Sequence, residues 1–220
     1  MKNLYIYCEG QTEEAFVKEV LRPYFWRLQL QLIPIICMTK RTDVGKHKGG
    51  ITDYAKVKAE LTRICREHSR ELATTMFDYY GLPANTPGID RHEADVFVRA
   101  NHIEREIEKD IGSENLFVNL CIHEFEGLLF SAPEAFENIA DNAIVNEIRQ
   151  IRNQFPSPEH INDSVETAPS KRLEKLIPRY AKVRNSLVVS RKIGLDKITQ
   201  ECQHFAEWVA RIKEHSRTAV

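Results

Sequence analysis

The sequence predicts an α/β fold, a mostly parallel four-stranded sheet flanked by helices, with a helical C-terminal subdomain. Two patterns carry this expectation. Short apolar runs alternate with amphipathic segments of helical period as far as about residue 130, and such alternation marks β-α units feeding a parallel sheet. Beyond that point strand signals fade and helical periodicity remains. The expected division is an α/β core over residues 1–132 and a helical subdomain over 133–220 packed back on it.

Each element has its own justification. LYIYC (4–8) is a short continuous apolar run of strand type. Thr12 then offers an N-cap for a helix to about Trp26. Phe16, Val20 and Tyr24 share one face of it, and Glu13 and Glu14 sit in the first turn, where carboxylates oppose the helix dipole favourably. LIPIICM (32–38) is a second strand whose Pro34 points to an edge or a bulge. KRTDVGKHKGG (40–50) is a Gly- and Lys-rich loop, followed by a helix over about 53–71 with Tyr54, Val57, Leu61, Ile64 and Cys65 on one face. ATTMFDYYGLP (73–83) is a third strand running into a turn. A helix over about 94–110 and a fourth strand, LFVNLCI (116–122), complete the core. Helical patterns follow at 134–153, 170–178 and 196–213, with FPSPEHINDSVETAPS (155–170) as the longest irregular piece.

Composition narrows the function classes. The chain has 220 residues, 42% of them hydrophobic and 29% charged, with a formal net charge of −1. No global basic excess signals nucleic acid, so such a site has to come from local charge placement. The apolar run at the N-terminus is too short for the core of a signal peptide, and no segment approaches membrane-spanning length. Five dispersed cysteines without a CxxC pair suggest reduced thiols in a cytoplasmic protein, not a zinc cluster. There is no GxSxG elbow, and the 40–50 loop lacks Walker spacing.

The chemistry-bearing pattern lies at the strand ends. Strand one ends on Glu9, strand three on Asp78 and strand four on His123-Glu124, with Glu126 just beyond. Open parallel sheets bind ligands beyond the carboxyl ends of their strands. Taken singly, each acid has an ordinary explanation: a turn residue at Glu9, dipole complements at Glu13, Glu14 and Glu126, and a His123 that orients Glu124 or satisfies a backbone group. Taken together, they would converge on one edge, where clustered hard oxygens repel unless a cation such as Mg²⁺ or Mn²⁺ neutralises them. A carboxylate-held divalent ion is suited to phosphoryl chemistry.

The stretch CEGQTEEAF resembles the first motif of Toprim domains, in which a strand ends on glutamate-glycine before a helix. Together EGQTEE, TTMFDYYGLP, IHEFEGLLFS, APSKRLEKLIPRYAKV and IGLDKITQECQHFAEW resemble a bacterial family of unknown function regarded as Toprim-like, over nearly the whole chain. The resemblance implies that Glu9 is a general acid/base or metal ligand and that Asp78 is the first aspartate of an Asp-x-Asp pair. Tyr80 stands where the second would be, so Glu124, or else Glu126 or Asp90, has to supply the missing carboxylate. It also implies a co-encoded ABC/AAA-type ATPase partner in an anti-phage defence cassette.

Local basic excess supplies the complementary half. Lys171, Arg172, Lys175, Arg179, Lys182, Arg184, Arg191 and Lys192 face a single acid, Glu174, between 171 and 192. The 40–50 loop adds Lys46 and Lys48 among its basic residues. Such clusters suit phosphate contacts, and Tyr180 with Lys182 is placed to position a phosphate or a base. A solvated helix face is the plainer explanation of the same run.

The leading expectation is therefore a Mg²⁺- (or Mn²⁺-) dependent nuclease of Toprim-like type acting on DNA or RNA. Glu9, Asp78 and Glu124 would hold the metal, with Glu9 also available as base, and Lys182 or the loop lysines would clamp phosphate. Glu13, Tyr80, His123 and Glu126 form the surrounding or alternative set. The alternatives are a catalytically degenerate module that docks on its ATPase or on nucleic acid, and a small-nucleotide phosphotransferase with 155–170 as lid. Substrate identity and oligomeric state stay open at this level.

Overall fold

A computed structural model of the chain describes residues 1–37, 51, 53–91, 93–162 and 165–217. Its centre is a parallel sheet with strand order β2-β1-β3-β4, formed by Leu30–Ile36, Lys2–Cys8, Leu72–Asp78 and Leu116–Phe117, while β5 (Leu120–Cys121) continues the pairing along β3. Every pairing is parallel, as the alternating sequence pattern requires. Pro34 lies in β2 at the sheet's edge, where its missing N–H interrupts nothing further out. In register, Cys8 pairs with Met76 and Asp78 with Cys121, so Glu9 and Asp78 emerge side by side at the carboxyl edge.

The expected fourth strand is split into two short pieces. Between them, Thr75 Oγ1 donates to the Asn119 carbonyl at 2.7 Å and accepts the Asn119 N–H at 2.9 Å, replacing ladder bonds with side-chain bonds. On its outer side, Glu108 and Glu104 take the N–H groups of Val118 and Leu120, each at 2.8 Å. These carboxylates come from α4 (Val96–Ile111), so the helix closes an edge that would otherwise offer unpaired donors.

The first helix also differs from expectation in its detail. Gly10, not Thr12, is the N-cap; the Glu13 carboxylate reaches back to accept the Gly10 N–H at 2.8 Å, and Thr12 is buried within α1 (Gln11–Phe16). A π-helical turn over Val17–Leu21 joins α1 to α2 (Arg22–Trp26), with the Arg22 N–H donating to Val17 O. Pro23 has no N–H to give, and the wider turn absorbs that loss. α3 (Tyr54–Glu67) is capped by Asp53 and α4 by Asp95, close to the expected starts.

After residue 132 the chain is helical: α5 (Asn142–Asn153), α6 (Pro169–Leu176), α7 (Lys182–Ile193), α8 (Leu195–Glu201) and α9 (Gln203–Arg217), with short 3₁₀ turns between some of them. The single helix expected over 196–213 is broken at Cys202, and α7 had no counterpart in the sequence pattern. Its packed face is Ser186, Val189 and Ser190, and two hydroxyls there mask the apolar periodicity.

The sheet separates two cores. One holds Leu4, Ile6, Met76, α1, the 125–136 turns and the C-terminal helices through Ile212. The other holds Tyr7, Phe77, α3 and α4. All five cysteines are free and buried. Among the described residues no helix is long and apolar enough to cross a membrane.

Candidate carboxylate centre

The carboxyl edge of the sheet brings together Glu9, Asp78, Glu13, Glu126 and Lys182. Glu9 Oε2 accepts the Asp78 N–H at 3.0 Å, tying the end of β1 to the end of β3. Asp78 Oδ1 in turn accepts the Phe125 N–H at 2.7 Å, which anchors the HEFE turn over the sheet edge. Gly81 lets the following turn close on Glu9. A Cβ at that position would lie 2.8 Å from Glu9 Oε1, so any side chain there would displace the carboxylate.

Glu126 is the most confined of the group. It is fully buried in the 3₁₀ segment Phe125–Ser131, and neither carboxylate oxygen has a hydrogen-bond partner. Among the described residues its counter-charge is Lys182, with Nζ 3.2 Å from Oε2. A lone acid inside the apolar run FEGLLF is the sequence signal for such burial, where the expectation was a helix-start residue or an alternative ligand. Glu13 was likewise given a helix-start role; it has one, through Gly10, but it is also buried and faces the cluster.

Electrostatics make the cluster a source of strain. Burial, then the neighbouring Glu13 and Glu124 charges, push Glu9 up to about 7, although the Asp78 N–H and Lys182 pull the other way. Glu126 rises to about 7 from burial and from Glu13 and Glu124, against the pull of Lys182. Burial raises Asp78 well above the usual carboxylate range, with Glu9, Glu13 and Glu126 adding to it. Burial also raises Glu13. For Lys182, burial opposes the ammonium, but Glu126, Asp78 and Glu13 outweigh it and hold its pKa above that of an ordinary lysine. Among the described residues, Lys182 thus serves four buried or nearly buried carboxylates.

The other candidate residues fall as follows. Glu124 turns its Oε2 to the Ser170 N–H, 2.9 Å away at the start of α6, and reaches Glu9 and Glu126 through its charge. His123 adopts a left-handed backbone (φ 61°), a conformation that costs a non-glycine residue about 1–2 kcal/mol. Its ring packs against Tyr80 with centroids 5.1 Å apart. Burial, with Arg99 and His160 nearby, lowers its pKa to about 4, so it is neutral at pH 7.

Among the basic residues, Lys171 is exposed and paired with Glu174 at 2.7 Å. Arg172 donates to Thr167 O at 2.6 Å and lies over the Phe155 ring. Tyr180 is partly buried, with its hydroxyl 3.0 Å from Ser186 Oγ. Arg184 is exposed on α7. Lys46 and Lys48 lie outside the described residues.

A divalent ion suits this centre in charge: hard carboxylate oxygens, a shortage of cations among the described residues, and a buried Glu126 whose one polar contact is the 3.2 Å ion pair of Oε2 with Lys182. Among the described residues, however, no group of three His, Cys, Asp or Glu side chains is arranged to hold a metal ion. The fit is one of charge and donor chemistry, without a preformed cage.

Comparison with known proteins gives a family and little beyond it. The comparison with curated proteins returned no match. Among solved structures, the C-terminal region of the Xanthomonas campestris pv. campestris OLD protein aligns over 97% of this chain and 97% of that chain, at 15% identity and a TM-score of 0.39. Likeness at that level carries no residue role across. A family model for a domain of unknown function, DUF4276, matches residues 8–213, and with nearly its whole length inside that match the chain belongs to the DUF4276 family.

Proposed function

We propose that this protein is a metal-dependent phosphodiesterase acting on nucleic acid, with the carboxylate centre as its active site. The observation that carries the reading is the pairing of Glu9 with the end of β3 beside Asp78, in a buried cluster where, among the described residues, Lys182 is the lysine set against Glu9, Glu13, Asp78 and Glu126. Mg²⁺ or Mn²⁺ would match the excess of negative charge that the described residues leave there. Glu9 and Asp78, with Glu126 or Glu124, would hold the ion. Bound there, it would polarise a phosphoryl oxygen and supply a water of lowered pKa.

The chain's own groups do the rest. Without an ion, burial pushes Glu9 up to about 7; a cation on its oxygens would bring that value down and keep Glu9 a carboxylate ligand. Lys182 holds a permanent positive charge where developing phosphoryl charge would lie. Burial of the cluster limits the water competing for these interactions. The Toprim-like motifs support the same reading, and with it a role as effector of an anti-phage system working beside an ABC/AAA-type ATPase.

Incubation with single- and double-stranded DNA and RNA in Mg²⁺ or Mn²⁺, alone and with a co-encoded ATPase, tests this. Cleavage should fall at least a hundredfold in Glu9→Gln and in Asp78→Asn, and cleavage that survives both places the chemistry elsewhere. Two observations favour a second reading, a module that binds nucleic acid or its ATPase without cutting: Tyr80 replaces the second acid, and among the described residues no three-ligand set is preformed. Binding without cleavage under every condition supports that module.

A further inference from the structure

Arg99 is a cation that stands just outside the carboxylate centre. It lies in the N-terminal part of α4, half-buried, with its guanidinium carbon over the Tyr79 ring, 5.6 Å from the centroid. Its Nε is shut off from solvent and donates to no acceptor. Among the described residues the side chain makes no hydrogen bond and no ion pair. A partly buried guanidinium is ordinarily matched by an acid, because withdrawing it from water uncompensated is costly. Here the charged side chains that act on the neighbouring His123 are Arg99 and His160, and no carboxylate is among them.

The fold sets where this cation stands. Tyr79 directly follows Asp78 and packs against the core that holds α3 and α4, and its ring meets that of His123 edge-on at 6.5 Å. Lys182 reaches Glu126 from α7, whose Val189 belongs to the core on the other side of the sheet. The carboxyl edge therefore has a lysine on one flank and an arginine on the other, with the acids between them. A guanidinium stacked on a ring is held in one plane, and its fork matches the paired oxygens of a phosphate. We propose that Arg99 clamps a backbone phosphate flanking the scissile one, so that the substrate is a strand carrying a further phosphate and not an isolated phosphodiester. This inference rests on the phosphodiesterase reading above and adds to it the demand for a flanking phosphate.

The test uses the full chain, fluorescently labelled oligonucleotides of DNA and of RNA, and bis(4-nitrophenyl) phosphate, a diester with no second phosphate. Binding is followed by anisotropy in Ca²⁺ across a salt series, and hydrolysis in Mg²⁺ or Mn²⁺. Arg99→Ala should weaken oligonucleotide binding about tenfold and make the slope of log K against log salt shallower by about one. It should also lower the ratio of kcat/KM for the oligonucleotide to that for the nitrophenyl diester about tenfold. Arg99→Lys should restore the salt slope but not the full affinity, because an ammonium keeps the charge and loses the fork. An Arg99→Ala protein that melts like wild type, yet keeps wild-type affinity and salt slope, overturns the clamp and leaves the phosphodiesterase reading intact. An unchanged kcat/KM ratio with both substrates impaired also overturns it, by placing Arg99 at the reacting phosphate. A loss confined to oligonucleotides with a 5′-phosphate, absent with a 5′-hydroxyl, assigns Arg99 to a terminal phosphate and overturns the backbone clamp. A wild-type protein that binds neither nucleic acid overturns both readings.

Discussion

Replacing Glu126 by glutamine isolates the electrostatic strain of the centre. Glu126 is fully buried, its oxygens accept no hydrogen bond, and burial leads the causes that raise it from 4.5 to about 7. An acid whose folded pKa lies above its unfolded value binds its proton more tightly in the folded state. Its contribution is therefore fully present below pH 4.5 and is lost as pH rises through about 7. The difference corresponds to about 3 kcal/mol, at 1.36 kcal/mol per pH unit. Because the Lys182 attraction is already contained in that value, about 3 kcal/mol is the most that Glu126→Gln can recover.

With chelator present, the variant and wild type should melt together near pH 5, where Glu126 is protonated. By pH 8 the variant should be the more stable, by up to roughly 6–12 °C for a chain of this size. Parallel melting-temperature profiles from pH 5 to 8, followed by circular dichroism or calorimetry, would refute the claim that Glu126 is ionised against its surroundings at neutral pH.

Three further outcomes follow from the same geometry. Added Mg²⁺ at pH 8 should raise the melting temperature of wild type by roughly 5–10 °C once it exceeds its Kd a hundredfold, and should do so weakly in Glu9→Gln and at pH 5; equal shifts in the Glu9 variant would put the ion elsewhere. Gly81→Ala should leave urea stability within about 1 kcal/mol, because the clash falls on a movable carboxylate, yet reduce cleavage at least tenfold, since Glu9 Oε1 would sit 2.8 Å from the new methyl carbon; unchanged cleavage would show that the position of Glu9 is immaterial. Thr74→Val removes the acceptor 2.9 Å from Trp208 Nε1 in the buried seam between β3 and α9 and should cost about 1–3 kcal/mol in urea unfolding; no loss would mean the indole N–H finds another acceptor.

Much of the fold was legible because its signals are local. Alternating apolar runs and the caps at Asp53 and Asp95 need only neighbouring residues, and parallel register then sets Glu9 beside Asp78. What stayed hidden depends on contacts distant in sequence. The fourth strand breaks because Thr75 and two α4 glutamates capture its backbone groups, across separations of up to 44 residues. Glu126 looked like a helix-start acid until the apolar turn around it buried it. α7 escaped notice because serines line its packed face.

That last omission matters most for function, because Lys182 is the first residue of α7. The carboxylates come from the end of β1, α1, β3 and the HEFE turn, whereas Lys182 comes from the helical C-terminal part. Among the described residues, the sheet edge without α7 would gather Glu9, Asp78, Glu13 and Glu126 with no lysine among them, and ionising them together would oppose folding. Docking α7 therefore relieves like-charge repulsion as well as burying Val189. A divalent ion would perform the same neutralisation more completely, so ion binding and α7 docking act on one quantity, the uncompensated charge of the edge. If both are needed, mutating Lys182 makes the fold more dependent on the ion, and removing the ion makes it more dependent on Lys182. Such reciprocity follows from linkage, and it makes Lys182 a structural counter-ion of the carboxylate edge.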